Sequence, residues 1–315
     1  MQKIMWKLSE DFQEFGGGDV LVNLLTLMEY ATCNLFSPEE KGISIPLWLS
    51  LVQRCGFTCQ THKKNKEVFY RLRRDQIPCV RLYTREDKSS LNFIDMADLH
   101  IGHPECDEER IKEALRYAVN NKVDYVFIAG DILDGVFEPD LINVKEEMER
   151  QLDKAFSIFK RFPKLKIMVI PGNHEFTFDL CGLMNPLAVL GMRLNEVGCD
   201  FNVFSSYIQD FEIAGIVKRM MHLESYYHRD NEFSLSHRLY EFNERGGLMV
   251  RCEDYVKRPI RFLECGHVHK KIEVYDSDYN VYITQPGSFI REQNFRKPFI
   301  HVKGEVLEDT RIIRG

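Results

Sequence analysis

A chain of 315 residues, 44% hydrophobic and 29% charged, has an ordinary soluble composition and is long enough for one large domain or two smaller ones. Its net charge of −6 argues against a broad nucleic-acid-binding surface, and its nine cysteines, odd in number and without paired spacing, argue against a disulfide framework and for a reducing compartment. The N-terminus lacks a signal-peptide core, and the most apolar run, Val20–Met28, is too short to span a bilayer and contains Asn23, so the expected location is cytoplasmic, with no membrane partner.

Residues 1–90 read as a small, mostly helical domain. Asp19, after three glycines, is a cap for a helix running to about Cys33. Pro46 suits the first turn of a second helix, Leu47–Cys55, stopped by Gly56. Lys63–Arg74 reads as a third, with Val68, Phe69 and Leu72 on one face. Helix, glycine turn and basic helix outline a helix-turn-helix, which makes Lys63, Lys64, Arg71, Arg73 and Arg74 candidate nucleic-acid contacts. The alternative is a solvated basic face. Cys55, Cys59 and His62 lack a fourth metal ligand. Residues 1–90 carry 13 Lys and Arg against 11 Asp and Glu, a charge of +2, which leaves −8 for the remainder. Thr84–Ser90 reads as a linker.

From Leu91 strands alternate with helices. Leu91–Ala97 is a strand running into Asp98-Leu99-His100, and Asp107 opens a helix with Ile111, Leu115, Ala118 and Val119 on one face. Val123–Ala129 is a second strand, ending in Gly130-Asp131. Leu141–Phe162 is a long amphipathic helix, with Val144, Met148, Leu152, Ala155, Phe156 and Phe159 inward. The strand Ile167–Ile170 stops on Pro171-Gly172 and presents Asn173 and His174 at its carboxyl end, where open α/β sheets place their chemistry. This order predicts right-handed crossovers and a parallel sheet. Further strands are expected at Phe211–Val217, Phe233–Ser236, Ile260–Cys265, Val281–Thr284 and Pro298–Val302, which two face-to-face sheets with helices outside would accommodate. Lys218–Asp230 has no clear placement.

The strand ends collect Asp98, His100, Asp131, Asn173, His174, a histidine from 222–237, and Gly266-His267-Val268-His269. Carboxylate, imidazole and amide oxygen without thiolate suit manganese, iron or zinc. Two such ions sharing a bridging carboxylate are a recurring device for hydrolysing phosphate esters.

With Asp98-Leu-His100, Gly130-Asp131, Gly172-Asn-His-Glu175 and Gly266-His-Val-His269, the chain resembles the calcineurin-like metallophosphoesterase superfamily from about Leu91 to the C-terminus, including Pro286-Gly287-Ser288. The resemblance implies an α/β fold, a two-sheet metallophosphoesterase sandwich flanked by helices. It implies two divalent metal ions, one held by Asp98, His100, Asp131 and His269, the other by Asp131, Asn173, His267 and a separate histidine, with Asp131 bridging. That separate histidine is read as His237, which ends Phe233-Ser-Leu-Ser-His, with His222 and His228 as alternatives. His174 is the implied catalytic group, facing the scissile phosphate without ligating. A metal-bridging hydroxide attacking in line is the implied chemistry, and Mn2+ the first expectation, with Fe and Zn as alternatives. His103, Ser288 and Arg291 are candidate substrate contacts, His103 with the alternative of a solvated loop residue. Asp134 is either an orienting partner of a ligand histidine or a turn cap.

Gly130-Asp-Ile-Leu-Asp-Gly135 lacks the Asp-Arg-Gly of the serine/threonine phosphatases, and no Arg stands two residues after Glu175. The pattern looks more like the bacterial and viral phosphodiesterases and repair nucleases. The expected substrate is a phosphodiester, with nucleic acid or a nucleotide as candidates. The alternatives are a phosphomonoesterase or nucleotide pyrophosphohydrolase and, from another class, a binding scaffold, against which the retained ligands and His174 both argue. Oligomeric state leaves no trace in the sequence.

Overall fold

The structure is a computed structural model that describes residues 34–39, 43–54, 57–64, 67–74, 79–84, 90–136, 143–181, 184–222, 249–251, 257–267, 269–276, 280–291, 297–306 and 312–314. The chain divides into two compact units, Met1–Ile77 and Pro78–Gly315. The helix expected to end near Cys33 and the strand expected at Phe233–Ser236 lie outside the described residues.

The first unit contains α1 (Ile45–Arg54), β1 (Phe57–Lys64) and β2 (Glu67–Arg74). The expected helix over Lys63–Arg74 is not formed, and with it falls the helix-turn-helix reading: these residues complete an antiparallel hairpin running from Phe57↔Arg74 to Lys64↔Glu67. Burial follows a period of two, with Phe57, Tyr70 and Leu72 buried while Thr58, Gln60 and Arg71 are exposed. The buried set closes over Trp48, Leu51 and Val52 of α1. Helical spacing in β2 would leave Tyr70 outside that core.

The second unit begins with β3 (Cys79–Leu82), β4 (Ser90–Met96), α2 (Glu108–Asn120), β5 (Tyr125–Ala129), α3 (Val144–Phe159), β6 (Lys166–Ile170), α4 (Asn173–Leu180) and α5 (Pro186–Glu196). It continues with β7 (Asp200–Val203), β8 (Ile208–Ile213), β9 (Ile216–Met221), β10 (Met249–Arg251), β11 (Lys257–Cys265), β12 (Ile272–Asp276), β13 (Val281–Gln285), β14 (Ile300–Val306) and β15 (Ile312–Arg314). Strands β4 to β7 run parallel, and with β14 and β15 they form a six-stranded sheet in the order β15-β14-β4-β5-β6-β7. The seven-stranded second sheet runs β12-β13-β11-β9-β8-β3, with β10 against β11. Because β3 is its edge strand, pairing Cys79 with Asp210, this unit begins before the linker expected at Thr84–Ser90.

Helices α2, α3 and α5 pack on the outer face of the six-stranded sheet, burying Ile111, Leu115, Met148, Leu152 and Leu190 against Ile94, Val126 and Ile167. Asp107 caps α2, its Oδ1 accepting from Arg110 N at 3.2 Å, while Val119, expected inward, is 40% exposed in the last turn. The other face meets the second sheet, where Phe93 and Phe127 pack against Phe262 and Phe211. Each such ring contributes about 1.5–3 kcal/mol by leaving water.

The strand expected over Phe211–Val217 is instead a hairpin: Ala214 and Gly215 at φ 50° and 80° turn β8 into β9. Strand β9 then takes in Lys218–Met221, the first part of the stretch that sequence left unplaced. Its Lys218 is fully buried between the sheets, with Nζ 2.8 Å from Asp95 Oδ1 and 2.7 Å from Glu264 Oε2, and Thr284 Oγ1 donates to Asp95 Oδ2 at 2.7 Å. The next residue, Arg219, pairs with Asp210 at 2.7 Å.

Candidate metal centre

Strands β4, β5 and β6 are parallel, as are β9, β11 and β13, so each sheet gathers its carboxyl ends along one edge. These edges meet. His222, just past β9, points Nδ1 at Ala129 O of β5 at 2.6 Å. The backbone N–H of His267, just past β11, donates to Asp98 Oδ1 at 2.9 Å. Glycines permit the approach: a methyl group at Gly266 would overlap the Ala129 carbonyl oxygen, and one at Gly172 would overlap Asp131 Oδ1.

The backbone at this edge is strained. Asp98, His100, Asp131, His267 and His269 all have positive φ, between 47° and 91°. Residues other than glycine rarely adopt that region and are held there by surrounding structure, at a cost of about 1–3 kcal/mol each. Glu175 supplies part of the restraint. Buried in the first turn of α4, it accepts from Gly172 N at 2.7 Å and Asp131 N at 3.2 Å through Oε2, and from Leu133 N at 2.8 Å through Oε1. Burial first, and then the charge of Asp131, push its carboxyl up to about 7.

Asp131 is at the centre. Its Oδ1 accepts from His174 N at 2.9 Å, while Oδ2 is buried without a hydrogen-bond partner. Around Oδ2 stand His222 Nε2 at 3.1 Å, His174 Nε2 at 3.9 Å and His100 Nε2 at 4.0 Å. Burial alone would raise the Asp131 carboxyl, but the imidazoles of His222, His174 and His100 hold it well below the ordinary carboxylate range. Burial likewise opposes charge on His222, yet Asp131, with Asp98 behind it, pushes that imidazole up to about 10.

Asn173 Oδ1 lies 2.9 Å from His222 Nε2 and 2.8 Å from His267 Nδ1. Across the site His100 Nε2 and His269 Nε2 face each other at 2.9 Å, and burial, with His100 adjacent, pushes His269 down to about 4. Among the described residues three groups have ligand atoms within 4.8 Å of one another: Asp98, His100 and His269; His100, Asp131 and His174; Asp131, His222 and His267. A buried carboxylate oxygen among three imidazole nitrogens fits a divalent cation.

The calcineurin-like phosphoesterase family model matches residues 92–271. The chain belongs to this family. As a calcineurin-like phosphoesterase it has the fold of a hydrolase of phosphate esters, and its Asp and His clusters could hold the metals on which the family depends. Among solved structures it is similar to a conserved uncharacterized protein, described as a predicted phosphoesterase, from Streptococcus pneumoniae TIGR4, at 16% identity and TM-score 0.34, over 72% of this chain and 95% of that one. It is also similar to Vps29 from Entamoeba histolytica, solved with Zn2+, at 14% identity and TM-score 0.32, over 63% of this chain and 74% of the other. Among curated proteins none matches.

Of the residues expected in the phosphoesterase centre, the structure brings together Asp98, His100, Asp131, Asn173, His174, His267 and His269. His237 lies outside the described residues, as does His228. The imidazole placed against Asp131 and Asn173 is His222, fully buried. The signal for it in sequence was the run Ile216-Val217 and Met220-Met221 around two cations, a strand disguised by buried charges.

The expected substrate contacts have local partners. His103 Nδ1 accepts from Glu105 N at 3.0 Å. Ser288 is buried and donates to Asp98 O at 3.1 Å, which braces a candidate ligand from behind. Arg291 is exposed, with Nε 3.8 Å from Asp107 Oδ2. Asp134 turns its backbone carbonyl to His174 Nδ1 at 2.5 Å, and its Oδ1 is 3.6 Å from His100 Nδ1. In the first unit Lys63 and Arg71 are exposed, and Lys64, Arg73 and Arg74 occupy strand positions. Cys59 and His62 lie in β1, and Cys55 lies outside the described residues.

Proposed function

We propose that this phosphoesterase hydrolyses a phosphodiester with two divalent ions, one held by Asp98, His100, Asp131 and His269 and the other by Asp131, Asn173, His222 and His267. The observation that carries the reading is Asp131 Oδ2, buried with the ring nitrogens of His222, His174 and His100 at 3.1, 3.9 and 4.0 Å, where a carboxylate shared by the two ions would be needed. When bound, the metals supply Lewis acidity, which neutralises phosphoryl oxygens and makes a water nucleophile available near neutral pH. The mixed N/O donor set favours Mn2+, with Fe and Zn as alternatives.

His174 has the properties of the leaving-group acid. Its Nδ1–H donates to Asp134 O at 2.5 Å, which fixes the ring and leaves Nε2 to face the reacting group. Burial opposes its charge, while Asp131 and the Asp134 carbonyl raise its pKa, and an imidazole so placed suits the protonation of the departing oxygen. Asn173 donates no charge but fixes His222 and His267 through one oxygen. The absence of the serine/threonine phosphatase Asp-Arg-Gly supports a diester over a phosphoprotein substrate.

No helix among the described residues is long and apolar enough to cross a membrane, and the free thiols include buried Cys79, Cys106, Cys199 and Cys265. These support the cytoplasmic reading. The deciding experiment compares bis-p-nitrophenyl phosphate with p-nitrophenyl phosphate in the presence of Mn2+. Faster diester turnover is expected. Faster monoester turnover moves the reading to a phosphomonoesterase, and no turnover of either ester with Mn2+, Fe2+ or Zn2+ overturns it.

A further inference from the structure

The first unit is unlike what its sequence implied, and the difference gives its cations a definite geometry. Phe36 and Tyr70 exchange paired backbone hydrogen bonds of 2.8 and 2.7 Å, which adds a third antiparallel strand position beside β2. Among the described residues the order is thus a short bridge, α1 and a two-stranded ribbon. Phe36 stacks on Trp48 at 4.8 Å, and with Leu51, Phe57 and Leu72 they close the core on one face of the ribbon.

Thr58, Gln60 and Arg71 are exposed, alternating with the buried set. Residues 57–74 carry six Lys or Arg against the single acid Glu67, a charge of +5, so the other 297 residues carry −11. The register keeps these cations apart: Gln60 stands opposite Arg71, Thr58 opposite Arg73, Lys63 opposite Val68, and Lys64 opposite Glu67. Like charges directly across a ladder would destabilise it, so the ribbon concentrates positive potential without a cross-strand penalty. A ribbon of eight residues per strand is about 27 Å long at ~3.4 Å per residue, about four-fifths of a helical turn of duplex. Its two-strand width fits a groove about 12 Å wide.

We infer that this hairpin is a duplex-binding wing, lying on nucleic-acid phosphates with Arg71 directed at them from the face that it shares with Thr58 and Gln60. The inference deepens the phosphodiesterase reading and rests on it for substrate class: covalent linkage keeps duplex phosphodiesters at high local concentration around the catalytic unit. The negative remainder of the chain would repel the same polyanion, so the attraction is assigned to the ribbon.

The test uses the full-length chain and a labelled random-sequence DNA duplex of about 20 base pairs, with anisotropy titrations between about 50 and 200 mM salt. Affinity should fall steeply with salt. In the variant Arg71→Ala the log–log slope should flatten by about 0.9, the value for one phosphate no longer neutralised. Gln60→Lys adds a cation to the exposed face and should steepen the slope by about 0.9, an outcome that no folding defect imitates. Turnover of bis-p-nitrophenyl phosphate should be unchanged in every variant. Unchanged affinity and slope in both variants overturn the inference. So does tighter binding to polyglutamate than to duplex, which would assign the face to an acidic protein. Ribbon-dependent duplex binding in a chain that hydrolyses neither chromogenic ester would keep the wing and remove the phosphodiesterase reading.

Discussion

Glu175 holds Asp131 by its backbone: Oε2 accepts the Asp131 N–H at 3.2 Å while the same oxygen takes Gly172 N–H at 2.7 Å. One carboxylate therefore ties the loop after β5 to the loop after β6, and the two candidate ligands Asp131 and Asn173 keep a fixed separation. Glu175→Ala strands three buried donors, those of Asp131, Leu133 and Gly172, at about 1–3 kcal/mol each. Urea unfolding should show a loss of about 3 kcal/mol or more, with metal content falling alongside.

The choice of seventh ligand is open to direct measurement. Metal analysis of the purified chain should give about two ions, and His222→Ala should remove one of them. His237→Ala should leave both. The reverse result would return the role to His237. Asp131→Asn should cost more activity than either, because its Oδ2 faces both candidate sites.

His174→Ala separates chemistry from metal binding. The metals should stay while kcat falls by about 10²–10⁴-fold, the range for losing a positioned acid. Loss of an ion in this variant would mean that the group His100, Asp131 and His174 is itself a metal site.

Gly266→Ala places a methyl group against the Ala129 carbonyl oxygen and the His222 ring. The two sheets should then part at the site while the helical face stays intact. Reduced metal affinity with nearly unchanged far-UV circular dichroism is the expected pair of results.

The buried cluster between the sheets sets a pH dependence of stability. Burial first, and then Asp95, hold the Glu264 carboxyl well above the ordinary range. The folded chain thus keeps a proton that the unfolded chain releases near the ordinary Glu pKa of about 4.3. This contribution to stability is fully present below that value and is lost as pH rises toward and through the folded pKa. Glu264→Gln cannot titrate, so its melting temperature should gain on the native chain between about pH 5 and 8. Lys218→Met leaves Asp95 buried without its cation and should cost about 3–5 kcal/mol at neutral pH.

The catalytic half was legible because its signals are local. Strands β4, β5 and β6 are apolar runs, each stopped by residues that tolerate a tight turn, so Asp98, Asp131 and Asn173 follow from a few neighbours in the chain. His222 was legible only as an alternative to His237, because β9 hides Lys218 and Arg219 in the interior, and what makes that tolerable lies far away in sequence at Asp95, Glu264 and Asp210. The hairpin of the first unit was misread for a related reason. Val68, Phe69 and Leu72 suit a helix face by spacing, and only α1 beneath the ribbon decides that Tyr70 and Leu72 turn inward while Arg71 turns out. Sequence by itself determined which chemistry the strand ends carry. Tertiary structure decided that His222 stands against Asp131 and Asn173 and that the basic stretch is a hairpin, because a buried ion pair and a half-buried strand draw their stability from residues that the local sequence does not contain.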